Sequence, residues 1–101
     1  MSKSVKVAST SELTPGQGKV VSVDGEELAL FNVDGKFYAI HNVCLHRGGP
    51  LGEGTLEGTT VTCPLHGWQY DVTTGTQAMN PSLKVNAYKV TISGSDVLVE
   101  V

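Results

Sequence analysis

Cys44-Leu45-His46 and Cys63-Pro64-Leu65-His66 decide how this chain is read. Sixteen residues separate the two motifs, which use both cysteines and two of the three histidines of the protein. Each is a tight Cys-and-His loop, C-x-H and then C-x-x-H. Arg47-Gly48-Gly49-Pro50-Leu51-Gly52 follows the first, and Gly67 follows the second. Two cysteines could pair as one disulfide. In a reducing compartment a metal site is the better reading, because each cysteine has a histidine within three positions.

Outward from the motifs the chain reads as β scaffold. Upstream, Val5, Val7 and Ala8 alternate with polar residues and suggest a first strand. Lys19–Val23, Glu26–Val33 and Lys36–His41 are joined by Asp24-Gly25 and Asp34-Gly35, two strong hairpin signals that predict an antiparallel meander. From Asn42 to Glu57 periodicity is lost, and Leu51 and Leu56 are left to anchor an ordered functional loop. Thr59–Thr62 is a short strand that delivers Cys63. Trp68–Val72 follows the second motif and ends at the turn Thr73-Thr74-Gly75. Ala78–Ser82 is a loop carrying Pro81, and Val85–Ile92 and Val97–Val101 close the chain around a Ser93–Asp96 turn. No segment has a convincing helical period. The expected class is all-β, an antiparallel β-sandwich or partly open barrel with an inserted two-loop subdomain. The expected organisation is one domain over 1–101, with scaffold at about 1–41 and 76–101 and the two loops within about 42–75.

Composition narrows the function. The formal net charge is −3 and the pI about 5.4, which argues against nucleic acid as a partner. No apolar run approaches the roughly 20 residues that span a bilayer, and the first residues lack a signal-type apolar block. The expectation is a soluble, cytoplasmic protein without a membrane partner.

Two thiolates and two imidazoles can hold one tetrahedral zinc or a binuclear iron–sulfur cluster. Zinc fingers usually pair like with like, whereas here each loop donates one Cys and one His. Two separate loops, each giving one ligand to each iron, would grip a [2Fe–2S] cluster from both sides. Glycines would let backbone N–H groups approach the sulfides.

Residues 44–54, CLHRGGPLGEG, and 63–75, CPLHGWQYDVTTG, resemble the two cluster loops of Rieske [2Fe–2S] proteins. The resemblance covers nearly the whole chain, with Leu83–Val101 similar to the closing strands of stand-alone Rieske ferredoxins. It implies that Cys44 and Cys63 bind the buried iron, and that His46 and His66 bind the outer iron near solvent. It also sets Pro81 in a third loop that covers the cluster. Respiratory-chain members of the family carry an extra cysteine in each loop, and these pair as a disulfide. Here the positions hold Arg47 or a neighbour and Leu65. Their serine two residues after the second histidine is Trp68 here, so the hydroxyl that raises the potential is missing. Their tyrosine is matched by Tyr70, a candidate donor to a cysteine sulfur. The expected potential therefore lies at the low end of the roughly −150 to +300 mV spanned by such centres. Of the nearby residues, His41 reads as a strand-end side chain, Glu53 and Glu57 as solvated, and Tyr38 and Tyr88 as scaffold. Trp68 fits core packing and a surface aromatic equally well.

The resemblance implies an electron-transfer protein rather than an enzyme. Rieske oxygenases add a mononuclear iron held by two His and a carboxylate, and only His41 remains here once His46 and His66 are used. The expected role is a ferredoxin passing single electrons from an NAD(P)H-dependent flavoprotein reductase to a terminal ring-hydroxylating oxygenase. The alternatives are a small subunit of a multi-subunit oxidoreductase such as nitrite reductase, and a structural zinc domain. The protein purified with iron available should hold two iron and two acid-labile sulfide per chain by chemical analysis. Cys44→Ser and His66→Ala should each abolish normal assembly, because the ligands are the only covalent anchors. Stoichiometric zinc without sulfide would overturn this reading.

Overall fold

The computed structural model describes residues 3–43, 49–65 and 67–100. The chain enters on β1 (Ser4–Ser9) and makes one 3₁₀ turn at Thr10–Glu12. It then forms β2 (Gly18–Val23), β3 (Glu26–Val33) and β4 (Lys36–His41). Both hairpin turns have the chemistry that the sequence announces. Asp24 and Gly25 take φ of 50° and 84°, and Asp34 and Gly35 take 50° and 91°. Positive φ at both central residues matches the right-handed twist of the flanking strands, and Asp-Gly tolerates it. The registers have no slip, with Val23 opposite Glu26, Leu28 opposite His41 and Val33 opposite Lys36.

After the first motif come a second 3₁₀ turn (Leu51–Glu53) and three short strands, β5 (Thr55–Glu57), β6 (Thr60–Thr62) and β7 (Gln69–Asp71). These form their own antiparallel sheet in the order β5-β6-β7. β8 (Ala87–Ser93) and β9 (Asp96–Glu100) return to the scaffold and complete a six-stranded sheet ordered β1-β9-β8-β4-β3-β2. Its edge strands β1 and β2 approach each other, so the sheet curls into a nearly closed barrel. Closure hides strand edges that would otherwise invite pairing with another chain. Glu12 helps at this seam. Its carboxylate accepts the Ser9 N–H at 2.8 Å and the Lys19 ammonium at 3.0 Å, and Lys19 holds it below the usual carboxylate range.

The side chains of β3 alternate between two cores. Leu28 and Leu30 point into the barrel with Val21, Val23, Ala39, Val97 and Val99. Ala29 and Phe31 point the other way, onto Ile40, Leu51, Val61, Cys63, Tyr70 and Val72. The second core joins the three-stranded sheet to the barrel. Strand positions agree with the sequence reading to within two residues apart from one added strand, and the largest offset has a physical cause. Thr55–Glu57 lies inside the stretch expected to be loop. It is too short between Gly54 and Gly58 to carry a pattern, and exists because Leu56 pairs with Val61. The strand expected from Val85 starts at Ala87, because Val85 is buried and donates its N–H to the Gly75 carbonyl at 2.9 Å. No helix among the described residues is long and apolar enough to cross a membrane.

The fold makes Leu30 a test of the barrel core. It is 0% exposed, so Leu30→Ala should cost about 2–5 kcal/mol by urea denaturation of the oxidised protein. A loss below about 1 kcal/mol would mean that the site collapses far better than a closed barrel permits.

Candidate metal centre

The stems of both loops are described. The first leaves the end of β4. His41, opposite Leu28, donates its backbone N–H to the Asn86 carbonyl at 2.8 Å, and Asn42 donates to the Glu27 carbonyl at 3.1 Å. Val43 and Pro50 then form an antiparallel bridge that closes the stem of the loop. The second motif leaves β6. The Cys63 N–H donates to the Trp68 carbonyl at 2.7 Å, and Gly67 donates back to the Cys63 carbonyl at 3.1 Å. Gly67 turns the chain at φ 76°. A pair of backbone bonds thus closes the second loop over four intervening residues, 64–67.

Of the four expected ligands, Cys63 is described, and Cys44, His46 and His66 lie outside the described residues, as do Leu45 and Arg47. Cys63 is 2% exposed and belongs to the apolar core with Tyr70 and Leu51. The returning limb of the first loop meets the second motif. A Cβ built on buried Gly49 would lie 2.7 Å from the Cys63 sulfur and 3.0 Å from the Leu65 Cγ. The returning limb of the first loop therefore presses bare backbone against the cysteine of the second. The described donor fits a cysteine ligand of an iron–sulfur cluster: the Cys63 thiol is sheltered from water, and Gly49, with no side chain, lets the first loop approach its sulfur. When bound, such a cluster supplies one-electron redox chemistry.

The neighbours expected from sequence fall into place. Tyr70 is fully buried beside Cys63 in the same core. Trp68 is partly buried and packs against that core while also lining an outside groove, so it serves both roles left open for it. Glu53 and Glu57 are exposed. Tyr38 packs on the second core and Tyr88 on the barrel core, and burial pushes the Tyr88 hydroxyl pKa up. The buried Nδ1 of His41 has no hydrogen-bond partner among the described residues.

The sequence reading places the third loop at Ala78–Ser82 around Pro81 but misses the residue that ties it down. Gln77, 3% exposed, accepts the Asn80 N–H through its side chain and donates its own N–H to the Leu83 carbonyl at 2.9 Å. Ala78 is tied to the Gln69 carbonyl at 2.8 Å, which sets the loop carrying Pro81 beside the second motif. Between them runs a groove of about 500 Å³ bounded by Gly67, Trp68, Met79 and Leu83. Asn-Pro-Ser at 80–82 was the signal for a turn here, and buried Gln77 gave none.

Gly49 supplies the test of loop convergence. Gly49→Val adds branched carbons where even a Cβ meets sulfur, so it should weaken cluster retention by roughly 10–100-fold, measured as iron bound against a chelator. Wild-type retention would show that the loops do not meet at this glycine.

Comparison with known proteins agrees with this geometry. The family model for the Rieske [2Fe-2S] domain matches residues 3–89. The chain is 38% identical over 90 residues to the naphthalene 1,2-dioxygenase system ferredoxin component of Pseudomonas aeruginosa, covering 88% of this chain and 86% of that one. Among solved structures, the ferredoxin of carbazole 1,9a-dioxygenase from Nocardioides aromaticivorans IC177 superposes with a TM-score of 0.89 at 35% identity, over 96% of both chains. A chain from a complex of reduced oxygenase and oxidized ferredoxin in carbazole 1,9a-dioxygenase gives 0.87 at 34% identity, over 95% of this chain and 91% of that one. With the family matched along most of its length, and with relatives this similar end to end, the chain belongs to the Rieske [2Fe-2S] domain family, whose fold implies one [2Fe–2S] cluster.

Proposed function

We propose that the protein is a one-electron carrier, the ferredoxin component that takes electrons from an NAD(P)H-dependent flavoprotein reductase and delivers them to a terminal ring-hydroxylating oxygenase. It acts as one domain in which residues from about 42 to 75 form the cluster-binding subdomain. Cys44 and Cys63 hold the inner iron, and His46 and His66 the outer one. The observation that carries this reading is end-to-end similarity to proteins named as ferredoxin components of dioxygenase systems, one of them solved in a complex of oxygenase and ferredoxin.

The surface around the loops supports it. Among the described residues, four of the five exposed large apolar side chains belong to the loops: Val43, Leu65, Met79 and Leu83, with Ile92 on the scaffold the fifth. Leu65 is 55% exposed and Met79 86%. Such positions are costly to leave in water unless a partner covers them in turn, and a carrier needs a small apolar patch that releases quickly. Exposed Pro81 lies on the third loop with Met79, and in this reading Leu45 and Arg47, outside the described residues, take part in docking, with Arg47 orienting the encounter electrostatically.

Leu65→Asp, Met79→Asp and Arg47→Glu should each slow electron transfer with the reductase or the oxygenase, read by stopped-flow absorbance. In Met79→Asp and Arg47→Glu the visible spectrum and the potential should stay at their wild-type values, and the Arg47 effect should fade as salt rises. Wild-type rates in all three variants would move the docking face elsewhere. Loss of any stimulation of a ring-hydroxylating oxygenase would reject the carrier role itself.

A further inference from the structure

Asn42 is 3% exposed, one of three buried polar side chains among the described residues, with Asn32 and Gln77. Each of the three closes a chain reversal, and Asn42 closes the first cluster loop. Its backbone N–H is anchored on β3 through the Glu27 carbonyl at 3.1 Å. Its carbonyl accepts the Leu51 N–H at 2.7 Å, and its Oδ1 accepts the Gly52 N–H, also at 2.7 Å. One residue therefore grips both limbs of the loop, at its entrance and at its exit.

The exit has no slack. Leu51 is 0% exposed in the second core. Gly52 is pressed on β2 so closely that a Cβ there would lie 2.8 Å from the Lys19 carbonyl oxygen. Two residues beyond Asn42 stands Cys44. Three residues before Gly52 stands Gly49, which faces the Cys63 sulfur. A shift of the exit relative to the entrance therefore moves the first motif relative to the second. Buried amide groups need partners, so without the Oδ1 acceptor the Gly52 N–H must turn to find another.

We infer that Asn42 is a positioning residue of the iron–sulfur centre. Its side-chain oxygen fixes the loop between residues 43 and 50 and so sets where Cys44 and His46 stand relative to Cys63. This rests on the reading of Cys44 and His46 as ligands. Support around a metal ligand commonly matters nearly as much as the ligand itself.

The test compares three variants of the cluster-loaded protein. Asn42→Leu keeps the branching at Cγ and removes the acceptor. Asn42→Asp keeps an acceptor oxygen. Asn32→Leu is a control for burial alone: Asn32 is 4% exposed, donates to the Leu13 carbonyl and accepts the Gly35 N–H, both at 2.8 Å, at the far end of the β3–β4 hairpin. Asn42→Leu should release iron to a chelator about 10-fold faster. It should also shift the electron paramagnetic resonance g-values of the reduced protein and its reduction potential. Asn42→Asp should return these readings toward wild type. Asn32→Leu should lower the unfolding midpoint and leave g-values and potential unchanged. If Asn42→Leu yields no folded protein, Asn42→Ser, too short to reach Gly52, is read in its place. Wild-type g-values and potential in the acceptor-less variant, with only the stability loss of the Asn32 control, would overturn the inference. Full iron content in Cys44→Ser would instead reject the ligand assignment beneath it.

Discussion

Burial of β3 on both faces is the constraint from which the rest of the molecule follows. A strand with one wet face can slip or bend at modest cost. A strand with Leu28 and Leu30 in one core and Ala29 and Phe31 in the other cannot, since a slip of one residue would exchange the two cores. β3 thus fixes the barrel and the three-stranded sheet against each other. It also fixes Asn42, bonded to the Glu27 carbonyl beside it, and through the shared core it fixes Cys63. Regular structure beneath the two loops holds their stems.

The loops themselves are stabilised in a way suited to a cofactor site. Among the described residues each stem is closed by few hydrogen bonds: two accepted by Asn42 for the first, Cys63 to the Trp68 carbonyl and Gly67 to the Cys63 carbonyl for the second, and those of Gln77 for the third. Glycine supplies the close approach where one loop meets another. Gly49 against Cys63 and Gly52 against β2 are contacts that any side chain would prevent. A buried thiol and a bare backbone facing it keep water away from the Cys63 sulfur.

Much of this was legible in the sequence where the code is local. Asp-Gly pairs specify positive φ at two successive residues, so the meander could be read directly. The Cys-x-His and Cys-x-x-His motifs and their glycine-rich surroundings carried the family and the cofactor. The remainder depends on tertiary contacts. Thr55–Glu57 becomes a strand only because β6 passes beside it. Nothing in Ile-His-Asn-Val announces that Asn42 will be buried with its oxygen on the Gly52 N–H, and nothing in a Gly-Gly pair tells which glycine meets the sulfur. Met79 reads as an ordinary loop residue until the third loop is folded against the second.

Leu65 joins the packing of the centre to its surface. Its Cγ stands where a Gly49 side chain would be, so it helps to seat the first loop on the second. More than half of the residue is nevertheless exposed, at 55%. The exposed apolar tip is therefore also a brace between the two loops. Substitution at Leu65 therefore acts on docking and on the cluster loops together. Met79, 86% exposed on the neighbouring loop, bears on docking alone. A rate change shared by both residues belongs to the partner surface. One confined to Leu65, accompanied by a spectral shift, belongs to the contact between the loops.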